Sequence, residues 1–346
     1  MESRRPAWLQ SLPSVAAPPS AIFQTTDSTK IPVPSATPLP GSLARNPFNA
    51  AALNEAATLF SNADYLTATY DLNAPGIIDL YDAVVVPKWS TPFGNLLLSQ
   101  LLVAPRPANA QVLDIACGTG YPTIDIARHL GKDADVVGID TWTNAIERAR
   151  NKASDEWLRN VFFLQADIAH AQLPEDQFDL ICCNLGYTSF ADRGRSLAVM
   201  ARITRPGGWL LLTTPLQTAF REFLDLYHTV LSELQLLTCV DALVALVKNR
   251  PTVATTSAAI ERTGMVIERD ITDRFTLSFV NARDFLTSPI VALSFMVGWR
   301  AIVPDVSLRR LVFNEIERRL DAKALAEHGL HFEIPMLCIS ARRTVR

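Results

Sequence analysis

From Ala110 to Pro215 the chain alternates short apolar runs with helical periods, and this alternation restricts the fold more than any other feature. "AQVLDIA", "ADVVGID", "VFFLQAD", "FDLICCNLG" and "WLLLTTP" read as five strands. Helices are expected between them at about Thr119–Leu130, closed by Gly131, at about Thr143–Ala153, and at about Arg193–Thr204, closed by "RPGG". The strands are nearly continuous apolar runs, which marks strands buried on both faces. Strands and helices in strict alternation imply a parallel sheet with helices on both sides.

The flanks differ in character. Residues 1 to about 47 are rich in Pro, Ser, Ala and Thr, and "KIPVPSATPLPGS" offers little to bury. They read as a tail that is disordered or draped over the surface. Order is expected to begin near "NPFNAAALNEAATLF", followed by helical "PGIIDLYDAVVVPKW" and "TPFGNLLLSQLLV". After Pro215 a long helix is expected at about Gln217–Leu237, then short helices, then "MVIERDITDRFTLSF" as a strand. Two helices, about Ala282–Val297 with a kink at Pro289 and Ser307–Ala326, lead to a last strand in "HFEIPMLCISARR". The chain thus returns to one sheet, and the helical inserts form a cover. The division read from this is a tail at 1–47, a helical cap at 48–105, and a core at 106–346 with inserts at about 216–263 and 281–327.

Composition excludes several classes. Of 346 residues, 49% are hydrophobic and the formal net charge is -3. There is no basic footprint for a nucleic-acid backbone, so no nucleic-acid partner is expected. The five cysteines include no CxxC pair, which speaks against a zinc site or disulfide framework and for a reducing, cytoplasmic setting. No metal site is expected. Arg4 and Arg5 resemble a twin-arginine leader, but Pro13, Pro18 and Pro19 break the segment behind them. "FLTSPIVALSFMVGW" is apolar yet too short to span a bilayer, so no transmembrane segment is expected.

"VLDIACGTGYP", Val112–Pro122, places Gly118 and Gly120 between a strand and a helix, where parallel sheets bind ligands. A phosphate loop would need a following Gly-Lys-Ser/Thr, which is missing. A dinucleotide turn would need a third glycine where Thr123 stands. S-adenosylmethionine fits: it has no phosphate, its sulfonium and ammonium suit the carboxylate of Asp114, and its ribose diol suits Asp140 at the end of the next strand. The other readings are a plain strand–helix turn, with Asp114 and Asp140 as strand-end caps and Asp167 capping its own turn.

"VLDIACGTG" resembles the first motif of the class I S-adenosylmethionine-dependent methyltransferases. "VVGID" with "TWTNAIERAR", "LQADIAHAQLPEDQFDLI" and "RITRPGGWLLLTTP" are similar to the family's later motifs, in order, over about Ala110–Pro215. The resemblance implies an α/β, Rossmann-like sheet, mostly parallel with an antiparallel last strand, plus helical cover inserts. It implies that Asp114, Ala116, Gly118 and Gly120 hold the methionine end and Asp140 the ribose. Thr141 and Trp142 would flank the adenine, Asp167 would meet its amino group, Ile168 would pack beside it, and Asn184 would lie near the sulfonium. Trp142 is large for its position and either stacks on the adenine or fills a gap between helices.

The acceptor is less legible. "LYDAVVVPKW" resembles the cap of quinone-biosynthetic and related small-molecule methyltransferases, which implies Tyr81 near the sulfonium. Trp89, Phe93, Phe220, Tyr227, Phe285, Phe295 and Trp299 are candidates both for an apolar acceptor pocket and for plain core. Among five histidines, His228 is the candidate base, with a solvated or core side chain as its alternative. "NLGY" departs from the Asn/Asp-Pro-Pro-aromatic motif of adenine-N6 and glutamine methyltransferases. The expected acceptor is a small or carrier-tethered organic molecule. O-methylation is the first expectation, because the last elements resemble in layout the enzymes that methylate a carrier-bound malonyl group. C-methylation of a quinone-like ring is the second, and a non-catalytic cofactor binder is the third reading.

Overall fold

The computed structural model describes residues 50–74, 76–102 and 107–345. The tail expected at 1–47 lies outside them. Seven strands form one sheet: β1 (Ala110–Ile115), β2 (Ala134–Asp140), β3 (Val161–Gln165), β4 (Phe178–Asn184), β5 (Thr204–Pro215), β6 (Met265–Phe279) and β7 (Leu330–Arg343). Their order is β3-β2-β1-β4-β5-β7-β6. β1 to β5 pair in parallel, while β7 runs antiparallel to both β5 and β6. The expected sheet and its antiparallel last strand are both present. The order reverses between β1 and β4, so the carboxyl ends of these two strands open the crevice where such sheets bind ligands.

β1, β2 and β4 are buried almost throughout, and β5 is buried from Leu210 to Pro215, as their apolar runs require. β6 is the exposed edge, and Glu268, Arg269, Asp270, Asp273 and Arg274 keep it from pairing with another chain. β6 and β7 continue beyond the end of β5, because Pro215 already pairs with Met336 while the ladder runs on to Phe279–Leu330. Above this extension the inserts close over an aromatic core.

Several boundaries shift, each for a local reason. The helix expected from Thr119 spans Thr123–Leu130, because Gly118 and Gly120 take φ of 52° and 98° and hold the chain in a turn. The "RPGG" segment belongs to β5: Gly207 at φ 79° and a register shift at Phe178/Leu180 form an irregularity inside the strand. The long helix expected at Gln217–Leu237 is shorter, Arg221–Glu233, bounded by Phe220 and Gln235 at positive φ, and the short helix expected after it spans Leu237–Lys248. The kinked helix expected at Ala282–Val297 is three short ones, Ala282–Thr287, Pro289–Ser294 and Met296–Ala301. Ser288 is extended before Pro289 and its hydroxyl caps the next turn. Asp192, Thr252, Asn281 and Asp305 cap other helices in the same way. No helix among the described residues is long and apolar enough to cross a membrane.

The N-terminal segment is a helix at Ala50–Asn62 and a broken helical run over Ile77–Leu80, Tyr81–Val85 and Val86–Lys88, then Ser90–Leu101. Tyr81–Val85 is wound as a π-helix, a local irregularity common at functional sites. This run lies against helix Thr143–Asp155 through a buried charge cluster. The Lys152 ammonium donates to Asp82 Oδ1 at 2.6 Å, Thr119 Oγ1 donates to the same oxygen at 2.5 Å, and Arg148 pairs with Asp79. Burial pushes the Lys152 pKa down, opposed by the Asp82 carboxylate.

Candidate functional site

The turn after β1 is shaped by backbone conformations that few residues adopt. Ala116 (φ 60°), Gly118 and Gly120 all lie in the left-handed region. A Cβ on Gly120 would stand 2.9 Å from Ile124 and 3.2 Å from Ala149, so glycine is required there. A Cβ on Gly118 would meet only the Tyr81 hydroxyl, at 4.0 Å, so this glycine faces open space. Gly120→Ala is therefore expected to lower the melting temperature well beyond Gly118→Ala, for which the left-handed backbone alone costs about 1–2 kcal/mol. Thermal melts of the two variants side by side check this.

Asp114 lies beneath the turn and is fully buried. Its Oδ2 accepts a hydrogen bond from Thr123 Oγ1 at 2.5 Å, while Oδ1 is buried with no partner among the described residues. Burial pushes its pKa up to about 7, against the Thr123 bond, and nearby Asp140 adds to the rise. Asp140, at the end of β2, accepts from the Gly118 N–H at 2.8 Å and the Trp142 N–H at 2.9 Å. It ties the glycine turn to the start of the next helix. Tyr81 sets its ring edge-on to Trp142 at 5.2 Å, and burial pushes its phenol above the ordinary range. Asp114, Ala116, Gly118, Gly120, Asp140, Trp142 and Tyr81 are thus gathered at one end of the sheet.

The remaining candidates fare differently. The Asp167 side chain is exposed; its carboxylate accepts from the Ala169 N–H and pairs with His170 Nδ1 at 2.8 Å, the turn-capping alternative. Ile168 is buried and Thr141 is exposed. Asn184 has both ends of its amide engaged: Nδ2 donates to the Ser90 carbonyl at 3.3 Å and Oδ1 accepts from Thr213 at 2.7 Å. It clasps the N-terminal segment to β4 and β5. His228 faces solvent on the outer side of a helix whose Phe223, Tyr227 and Leu231 are buried, in keeping with the solvated alternative. The other four histidines are exposed as well.

The aromatic candidates for an acceptor pocket pack together as core, and of them Phe295 also lines a cleft. Phe220 contacts Trp89, Phe285, Phe295 and Trp299 with ring centroids 4.7–5.9 Å apart, and all five are fully buried. The sequence reading missed Asp82, Lys152 and Thr119, which pin the glycine turn to the N-terminal segment. Their only sequence signal is spacing: Asp79 and Asp82 fall on one helix face, as do Arg148 and Lys152.

Residues 107–259 match the family model described as a methyltransferase domain. This segment is a class I S-adenosylmethionine-dependent methyltransferase domain. The ubiquinone/menaquinone biosynthesis C-methyltransferase UbiE of Teredinibacter turnerae is 36% identical over 126 residues, covering 35% of this chain and 50% of that protein. The biotin biosynthesis bifunctional protein BioCD of Bordetella avium is 34% identical over 136 residues, covering 39% and 28%. The demethylmenaquinone methyltransferase of Lactococcus lactis is 28% identical over 119 residues, covering 34% and 47%. The chain thus spans about half the length, or less, of the curated relatives it matches. The residues present fit the methyltransferase cofactor: an unpaired buried carboxylate oxygen suits its ammonium, and the space above Gly118 admits its methionine end.

Proposed function

We propose that the protein transfers a methyl group from S-adenosylmethionine to a small or carrier-tethered organic acceptor, and that the acceptor atom is carbon. The single observation that carries the cofactor half is the unpaired Oδ1 of buried Asp114 beneath the open side of Gly118. Carbon takes precedence over the O-methylation expected from the sequence because relatives matching the core are C-methyltransferases by name. When bound, S-adenosylmethionine supplies an electrophilic methyl on sulfur. The chain's own part is positioning. Asp114 orients the ammonium, Asp140 holds both the glycine turn and the ribose, and Tyr81 with Trp142 walls off water above the turn. Holding two reactants in line is worth roughly 7–11 kcal/mol of the barrier.

The test is incubation of the full chain with methyl-labelled cofactor and a set of demethylated phenols, quinols and carboxylic acids, with products identified by mass spectrometry and NMR. Label on a ring carbon is the expected result. Label on an ester or ether oxygen would return the assignment to O-methylation. Tight cofactor binding without any labelled product would favour the non-catalytic reading.

A further inference from the structure

Beyond the carboxyl ends of β4 and β5, a shallow cleft open to solvent is lined by Thr188, Arg193, Leu216, Leu246, Arg250 and Phe295 among others. It shares a wall with the cofactor half. Thr188 belongs to the 3-10 turn Gly186–Ser189 that follows Asn184. A Cβ on Gly186 in that turn would stand 2.6 Å from Ala116, so the turn packs directly on the first glycine segment. The cleft therefore lies beside the turn that backs the first glycine segment.

Its charges are one-sided. Arg250 Nη1 donates to the Ala219 carbonyl at 2.7 Å, but Nη2 is buried with no partner among the described residues. Arg193 donates to the Asn249 carbonyl at 3.2 Å and the Thr188 carbonyl at 3.5 Å, and its guanidinium lies 5.4 Å from the Tyr187 ring centre. Among the described residues neither arginine is within ion-pairing distance of a carboxylate. Burial pushes the Arg250 pKa down to about 10, which leaves it charged at neutral pH. A buried cation without a counter-charge is costly, and an anion entering the cleft relieves that cost. The rest of the lining, Leu216, Leu246 and Phe295, suits an apolar body.

We propose that this cleft binds the carboxylate of an amphipathic organic acid, with Arg250 and Arg193 holding the anion and the apolar wall holding the body. The inference deepens the proposed function by naming the acceptor's class, and rests on it only for calling the ligand the acceptor. A planar guanidinium matches a carboxylate with two parallel hydrogen bonds, and the Nη2 donors of Arg250 are not engaged by any described residue.

Calorimetric titration of the full chain with benzoate, and with neutral benzamide, tests this. S-adenosylhomocysteine is titrated in parallel as a check on the folded cofactor site. Benzoate is expected to bind and benzamide not. Arg250→Gln is expected to weaken benzoate at least tenfold while S-adenosylhomocysteine affinity stays within twofold. Arg193→Gln carries the same test should Arg250→Gln fail to fold. A wild-type protein that binds S-adenosylhomocysteine but not benzoate would overturn the inference and leave the methyltransferase reading intact. Benzoate binding unchanged in both variants, or inorganic phosphate binding more tightly than benzoate, would also overturn it. Benzoate binding without any methylated product would count against the proposed function alone.

Discussion

Asp114→Asn is expected to melt higher than the wild type at pH 8 and to bind S-adenosylhomocysteine about a hundredfold more weakly. The two effects share one cause. The carboxylate is buried, with one oxygen unpartnered, and burial pushes its pKa from the ordinary carboxylate value of 3.8 up to about 7. The native state therefore binds an extra proton between about pH 4 and pH 7, so this group's contribution to stability falls as pH rises through that window. Above pH 7 the penalty is complete, and the neutral amide removes it while still able to accept the Thr123 bond. The stability gain should shrink toward zero as pH falls to about 4. Cofactor binding runs the other way, because the ligand's ammonium needs the charged form. Wild-type affinity should fall by up to tenfold per pH unit below about 7, and the variant's should be flat. Losing one partner of a buried charged pair typically costs about 2–5 kcal/mol, which includes the hundredfold expected here. Melts and titrations across pH 5–8.5 measure both effects. A variant that bound the ligand as tightly as wild type would remove Asp114 from the methionine end.

Asp82→Ala is expected to cost about 3–5 kcal/mol, because it leaves the Lys152 ammonium buried without its carboxylate. That corresponds to a drop in melting temperature on the order of 10 °C. The Asp82 side chain is only 3% exposed and sits between Lys152, Thr119 and, at 3.9 Å, Arg148. Its loss frees Thr119 within the glycine turn as well, so cofactor affinity should fall together with stability. Asp82→Ala combined with Lys152→Met should recover much of the stability but not the affinity, since the clasp on Thr119 stays broken. Equal melting temperatures for Asp82→Ala and wild type would show that the cluster is not what holds the N-terminal segment down.

The gathering of Asp114, the glycine turn and Asp140 at one end of the sheet was legible because it is local. Asp114, Gly118 and Gly120 lie on one strand and its turn, and Asp140 ends the next strand, so strand–helix alternation alone brings them to the same edge of the sheet. Helix boundaries were less so. Phe220 takes a left-handed backbone, and its ring then sits among Trp89, Phe285, Phe295 and Trp299, contacts that no local propensity encodes. His228 illustrates the same limit. Its position on a helix near the acceptor side was readable, but which face of that helix is buried depends on packing against helix Val306–Glu327 and the aromatic core.

By itself the sequence determined the sheet, its strand-by-strand composition and the chemistry of the glycine turn, because periodicity and turn residues act over a few neighbours. Only the tertiary structure decided which charges meet. Asp82 finds Lys152 across 70 residues, Arg250 reaches its cleft without an acidic partner, and Asn184 spends its amide on Ser90 and Thr213. Each of these depends on elements distant in sequence arriving at one place. Burial then sets the strength of the result, since a charge or an amide counts for most where water no longer competes for it.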